Sequence, residues 1–218
     1  MNGSTIDERL QSSAGNRPGK PGRTREARAD RAISRATLEL ISERGASGLR
    51  IGDVAERAGV GRATIYRRHA SKDALIRDVV GTLVSDIETV DTGSIRLDLL
   101  ELMRAAVRVY CDPLIAGAMP SIVARMHVDP EIADGVQRGM LATRRAALCE
   151  ILERGVDRGE LPDALDYELA LDVLAGPLFY RLLITGGPID EQLARGTVDV
   201  LLHGLADGPR NARAEPAA

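Results

Sequence analysis

Tryptophan is absent from this 218-residue chain, and its only aromatic residues are Tyr66, Tyr110, Tyr167, Phe179 and Tyr180. A core of stacked rings is therefore excluded, and Leu, Ile, Val, Ala and Met must fill the interior, as they do between packed helices. Cys111 and Cys149 are too few and too widely spaced for a disulfide framework or a zinc site, and they point to a reducing compartment. The first residues are polar, without the apolar run of a secretion signal. The most apolar window, Leu169–Thr185, is interrupted by Asp172, Pro177 and Arg181, so no membrane span is expected and the expected location is the cytoplasm. Alternation of apolar and polar residues is scarce, which favours an all-α fold over one containing sheets.

Catalytic signatures are missing as well. There is no HExxH, no glycine-rich phosphate loop and no GxSxG, and His69, His127 and His203 are scattered. No enzyme, cofactor or metal is expected. His127 with Asp129 and Glu131 is the one cluster near plausible chemistry, and solvated loop charge accounts for it better.

What is present is an asymmetry of charge. Residues 1–75 carry 15 Lys and Arg against 9 Asp and Glu, and residues 76–218 carry 14 against 23. A basic first third on an acidic remainder fits a nucleic-acid-binding head on a non-binding body, although chance surface charge gives the same count.

The head has a local signature. In Ile51–Lys72, IGDVAERAGVGRATIYRRHASK, the residues Val54, Ala55 and Ala58 share one helical face. Gly59 supplies the positive φ of a sharp turn, and Val60 and Ile65 pack back on that face. Arg62, Ala63, Thr64, Tyr66, Arg67 and Arg68 are left to face outward. Small residues at the crossing let two helices approach as a DNA-reading helix-turn-helix requires. Ahead of it, a helix is expected from about Glu26, with Ile33, Thr37, Leu40, Ile41 and Arg44 on one stripe and Gly45 ending it. Ser71 is a good N-cap for a helix from Lys72 to about Val90, with Leu75, Val79, Leu83 and Ile87 in line, which links head to body.

Residues 1–25, with Pro18, Pro21 and several glycines, are expected to form an unstructured basic arm. Its Arg17, Lys20, Arg23 and Arg25 suit phosphates or a minor groove, but a plain solvated tail is the preferred reading. The body is expected to hold helices at Ser94–Cys111, Leu114–Met119, Ser121–His127, Asp129–Arg158, Asp166–Thr185 and Ile189–Ala206, followed by an unstructured tail from residue 207 to 218.

The segment Arg31–Asp78 resembles the DNA-binding domain of the TetR family of bacterial transcription regulators. The residues that carry the likeness are Ala36–Leu40, Gly45, Asp53–Val54–Ala55, Ala58–Gly59–Val60, Thr64–Ile65–Tyr66–Arg67 and Ser71–Lys72–Asp73–Ala74–Leu75. Arg158–Gly159–Glu160–Leu161 and Ala175–Arg181 look like one C-terminal subgroup of that family. The resemblance implies a DNA-binding domain of three helices (26–72) and a helical ligand-binding and dimerisation domain (73–206). It also implies a two-fold homodimer on double-stranded operator DNA, acting as a repressor. Tyr66 and Lys72 would hold phosphates, and Arg62, Ala63 and Thr64 would approach base edges. An arginine such as Arg62 can pair bidentately with guanine. Two positions depart from the family pattern. Arg50 stands where a small capping residue is usual; it cannot cap, but it can still neutralise a phosphate. His69 stands where phenylalanine anchors the domain, and is either a pH-sensitive anchor or a neutral filler.

Family members commonly bind a small molecule between the central helices. Met103, Val107, Tyr110, Met119, Ile122, Val123 and Met126 would line such a pocket, or form ordinary core; both readings are open. With no charge in that group, a largely apolar effector is expected. A dimer without any inducer, and a thiol-responsive regulator acting through Cys111 or Cys149, are the alternatives. The dimer interface is expected from Leu169, Val173, Gly176, Phe179, Tyr180, Leu183, Leu193, Val198, Leu201 and Leu202 in a four-helix arrangement.

Overall fold

The computed structural model describes residues 21–82 and 89–206, and every regular element among them is helical. α1 spans Pro21–Gly48 and is broken at Gly45, whose φ of 74° and ψ of 161° lie outside helical space. α2 (Ile51–Ala58), α3 (Arg62–Tyr66) and α4 (Lys72–Thr82) follow. The body consists of α5 (Ile95–Tyr110), α6 (Pro113–Met126), α7 (Pro130–Val136), α8 (Ala142–Asp157), α9 (Tyr167–Tyr180) and α10 (Glu191–Ala206). Wide π-helical stretches, Gln137–Leu141 and Arg181–Thr185, join α7 to α8 and extend α9.

Several boundaries differ from expectation. α1 starts at Pro21 rather than Glu26, so residues 21–25 of the expected arm are helical. Proline is suited to a first helical position, where its missing amide costs nothing. Residues 1–20 and 207–218, with the rest of the arm and the tail, lie outside the described residues. So do Leu83 and Ile87 of the expected stripe on α4, while Thr89 and Val90 are not helical. α6 is one helix rather than two, with Pro120 inside it. Pro120 is exposed, and the long contact of α6 with α1 keeps its two halves in line.

The interior is one continuous cluster running from Ile33, Leu38 and Ile41 through Ile65 and Leu75 to Leu99, Ile115, Leu152 and Leu178. Arg44, placed on the inward stripe from sequence, is instead exposed and paired with Asp53 at 2.8 Å. Head and body are joined along α1 and α4. The Ala46 amide donates to Ser121 Oγ on α6 at 2.6 Å, and Gly117 of α6 lies so close to Ser42 that a Cβ would stand 2.1 Å from its Oγ. Arg125 at the end of α6 pairs with Asp73 of α4 at 3.2 Å.

The Arg158–Leu161 segment ties the start of α5 to the end of α8. Gly159 takes a φ of 72°, and Glu160 Oε2 then accepts the Ile95 amide at 2.9 Å, capping α5 where Ser94 makes no side-chain bond. Leu161 is buried. Beside it the buried carboxylate of Asp98 accepts the Thr92 amide (2.8 Å) and hydroxyl (2.6 Å), with Arg158 at 3.3 Å and Arg154 at 3.7 Å.

Candidate nucleic-acid interface

Val54 and Ala55 of α2 are buried, and Ala58 packs partly buried beside them. Gly59 closes the helix at φ 65°, ψ 34°, which brings the Val60 amide to the Ala55 carbonyl at 2.9 Å. That left-handed turn folds α3 back across α2. Ile65, with no exposed surface, is the side chain that pins α3 to the core. Around it Arg62, Ala63, Tyr66 and Arg67 are exposed and Thr64 is half-buried. Tyr66, 56% exposed, is an aromatic ring held in solvent on a basic surface. Arg50 has an extended backbone and no side-chain cap, as its chemistry requires, and its carbonyl accepts the Asp53 and Val54 amides.

The charges of the head are sorted by geometry. Glu39, Glu43 and Asp53 are taken up by Arg57 and Arg44: Arg57 grips Glu43 through two bonds of 2.8 and 3.0 Å, and Arg44 bonds Asp53 at 2.8 Å. The Arg57 guanidinium holds the Glu43 carboxyl below its usual range. Arg50, Arg62 and Arg67 enter no ion pair among the described residues, so positive charge is concentrated beside α3.

Arg68 is a correction. It does not face outward but turns onto α1, with Nε 2.5 Å from Asp30 Oδ1 and Nη1 donating to the Thr64 carbonyl. One helical turn past Thr64, its position falls toward α1 rather than away from it. Arg62 lies across the start of α2, where a Cβ at Gly52 would stand 2.7 Å from its Nη2. Lys72 opens α4 and donates to the Ser47 carbonyl at 3.4 Å, while Ser71 Oγ caps the helix by accepting the Ala74 amide at 3.0 Å. His69 is half-buried, with Nδ1 2.8 Å from Asp78 Oδ2, so it is held by a polar partner where an apolar ring was the family pattern.

Behind the head, Met103, Tyr110, Met119 and Ile122 are buried, and Val107, Val123 and Met126 pack partly buried against the same cluster. A charge is present that the sequence reading missed. Arg144 of α8 is only 7% exposed, and its Nη1 donates to the Tyr110 hydroxyl at 2.7 Å with its guanidinium carbon 4.9 Å from the ring centroid. Burial pushes the Tyr110 phenol up, against the opposing pull of Arg144. Phe179 of α9 meets the same ring edge-on at 5.3 Å. The signal was available: Arg144 stands in helical register with Leu148 and Ile151, an arginine on an apolar stripe.

Residues 33–79 match the family described as "Bacterial regulatory proteins, tetR family", and residues 89–201 match "Tetracyclin repressor-like, C-terminal domain". The chain belongs to the TetR family. It is a helix-turn-helix, DNA-binding transcriptional regulator. It is 31% identical over 180 residues to the uncharacterized regulator YdeS of Bacillus subtilis, spanning 82% of this chain and 90% of YdeS. It is also 31% identical over 193 residues to the DNA-binding transcriptional repressor TetR of Mycobacteroides abscessus, spanning 87% of this chain and 98% of that protein. Among solved structures, the TetR family regulator SCO0332 superposes with a TM-score of 0.62 at 28% identity, covering 81% of this chain and 97% of that one.

On α9 and α10 the structure separates the expected interface residues into buried and exposed sets. Leu193, Val198 and Leu201 are buried within the protomer, and Phe179 is turned inward onto Tyr110, so none of them forms an outward face. Leu169 (58%) and Tyr180 (60%) are exposed, with Gly176 exposed and Val173, Leu183 and Leu202 half-buried. Ile184 (71%) and Val200 (67%) belong to the exposed apolar set and were not picked out. Two apolar stripes run along α10, and periodicity alone does not say which one faces α5.

The remaining candidates are placed without chemistry of their own. Asp129 caps α7 by accepting the Glu131 and Ile132 amides and pairs with Arg125 at 2.6 Å, while His127 is exposed. Cys111 lies exposed at the end of α5, and its thiol donates to the Ile189 carbonyl at 2.8 Å. Desolvation of the sulfur first, then nearby carboxylates, pushes both cysteine thiols up, Cys111 included although the residue as a whole is exposed. No group of His, Cys, Asp and Glu among the described residues is arranged to hold a metal, and no described helix is long and apolar enough to cross a membrane.

Proposed function

We propose that this protein is a homodimeric repressor that leaves its operator when a small molecule enters the body, with residues 26–72 as reading head and 73–206 as regulatory body. The reading rests above all on the exposed Tyr66–Arg67 pair at the end of a well-anchored α3, beside arginines that no carboxylate among the described residues neutralises. In this reading α3 enters the major groove, Arg62, Ala63 and Thr64 approach base edges, and Arg50, Tyr66, Arg67 and Lys72 hold phosphates. Arg68 positions α3 through Asp30 instead of touching DNA. Repression is supported by the likeness to the Mycobacteroides abscessus repressor.

Two protomers join through the exposed apolar set of α9 and α10, led by Leu169, Tyr180, Ile184 and Val200. The effector occupies the core shared by α5, α6 and α8. Displacing α6 drags α1 through Ser121 and Gly117, and α4 through Arg125, which changes the spacing of the two heads. Binding to DNA from the protein's own upstream region at two salt concentrations tests the reading. Selective binding with a steep salt slope, lost in Tyr66→Ala and Lys72→Ala, is expected; binding no tighter than to random DNA at either salt counts against it.

A further inference from the structure

Arg144 is a buried cation without a counter-ion among the described residues. Its Nη1 is satisfied by Tyr110, but Nε and Nη2 are buried and have no hydrogen-bond partner among the described residues. No Asp or Glu among the described residues forms an ion pair with it, and its one aromatic contact is the face of the Tyr110 ring. Leaving a guanidinium like this out of water is costly unless something completes it. Nε–H and the adjacent Nη2–H form the side edge of the guanidinium, two near-parallel donors that match the two oxygens of a carboxylate.

We infer that this edge is the anchor for an organic carboxylate with an apolar body, bound between α5, α8 and α9. The inference rests on the reading of the body as an effector domain, and it changes the chemistry of the effector from apolar to anionic and amphipathic. Two further observations fit it. Tyr110, wedged by Phe179, holds the guanidinium by Nη1 and so leaves the bidentate edge in one orientation. The π-helical stretch Gln137–Leu141 directly precedes α8, and a widened turn is a local departure from α-helix that often accompanies a binding site. Met103, two helical turns before Tyr110 on α5, and Leu148 and Ile151 on the Arg144 stripe of α8 are buried apolar residues that suit the ligand body.

The test uses the full-length protein and a carboxylate series, acetate, benzoate, octanoate and decanoate, each beside its neutral primary amide. Thermal unfolding and calorimetric titration read binding. At least one carboxylate is expected to raise the melting temperature where its amide does not. Arg144→Met and Arg144→Lys should each weaken that binding about tenfold or more, the lysine because it keeps the charge and loses the fork. Arg144→Met should also melt no lower than the unliganded parent, because it removes an uncompensated buried charge and keeps an apolar stem. Failure of every carboxylate to bind in an Arg144-dependent way overturns the inference, as does equal binding of acids and amides. Operator affinity is measured in parallel. Arg144-dependent binding without operator release keeps the anion site and defeats the repressor-release reading, whereas release by the amides alone does the reverse.

Discussion

The Ser121 hydroxyl on α6 accepts the buried Ala46 amide at 2.6 Å, one residue after Gly45 breaks α1. One of the polar contacts that join head and body, the Arg125–Asp73 pair being another, thus lies at the point where the chain turns toward α2. It replaces the helical partner that this amide loses at the break.

Ser121→Ala leaves the Ala46 amide buried without an acceptor, a loss of about 1–3 kcal/mol. Urea unfolding is expected to show that loss, and hydrogen exchange should show reduced protection in residues 46–50. Unchanged protection there would mean that the turn is held by packing alone.

Tyr66 and Ile65 are neighbours with opposite roles. Tyr66→Ala should change stability by no more than about 0.5 kcal/mol, because the ring is exposed, yet abolish selective operator binding. Ile65→Ala should cost about 2–5 kcal/mol by opening a cavity under α3. Denaturant curves and operator titrations on the same samples separate the two; a Tyr66→Ala protein that still binds its operator selectively would remove the ring from the interface.

On α10, Val200→Asp is expected to give a folded monomer, and Leu201→Asp an unfolded or aggregated chain, since the first side chain faces solvent and the second the core. Light scattering with circular dichroism distinguishes them. A Val200→Asp protein that stays dimeric would move the interface elsewhere.

Asp98 is expected to set part of the acid limit of stability. Burial raises its pKa, but the Thr92 bonds and the Arg158 and Arg154 charges outweigh burial and hold it below the usual carboxylate range. The stability it confers is therefore complete above the unfolded-state value of about 4 and is lost as pH falls through the lower folded value. Asp98→Asn should be less stable by about 1–3 kcal/mol at neutral pH. The difference should shrink toward zero in strong acid, as followed by unfolding at a series of pH values. A pH-independent difference would assign the effect to packing.

The helix-turn-helix was legible in the sequence because everything that defines it is local. Gly59 supplies a left-handed turn, Ser71 a cap, and Val54, Ala55 and Ile65 an apolar face, all within a few helical turns of one another. The same is true of Arg50, which cannot cap, whereas the reach of Glu160 to Ile95, 65 residues away, was not legible. The all-α class followed from periodicity and from the shortage of aromatic and alternating segments.

What the tertiary structure decided concerns partners far apart in the chain. Periodicity marks a face as apolar but does not name what it meets, so Leu193, Val198 and Leu201 passed for interface and Val200 went unnoticed. It could not show that Arg68 folds onto Asp30, or that Arg144 meets Tyr110, 34 residues away, with two donors to spare. A helix carries its hydrogen-bond ladder within itself, so local sequence determines it; the pairing of one helix's side chains with another's depends on how all of them pack, and that is settled only when the whole core closes.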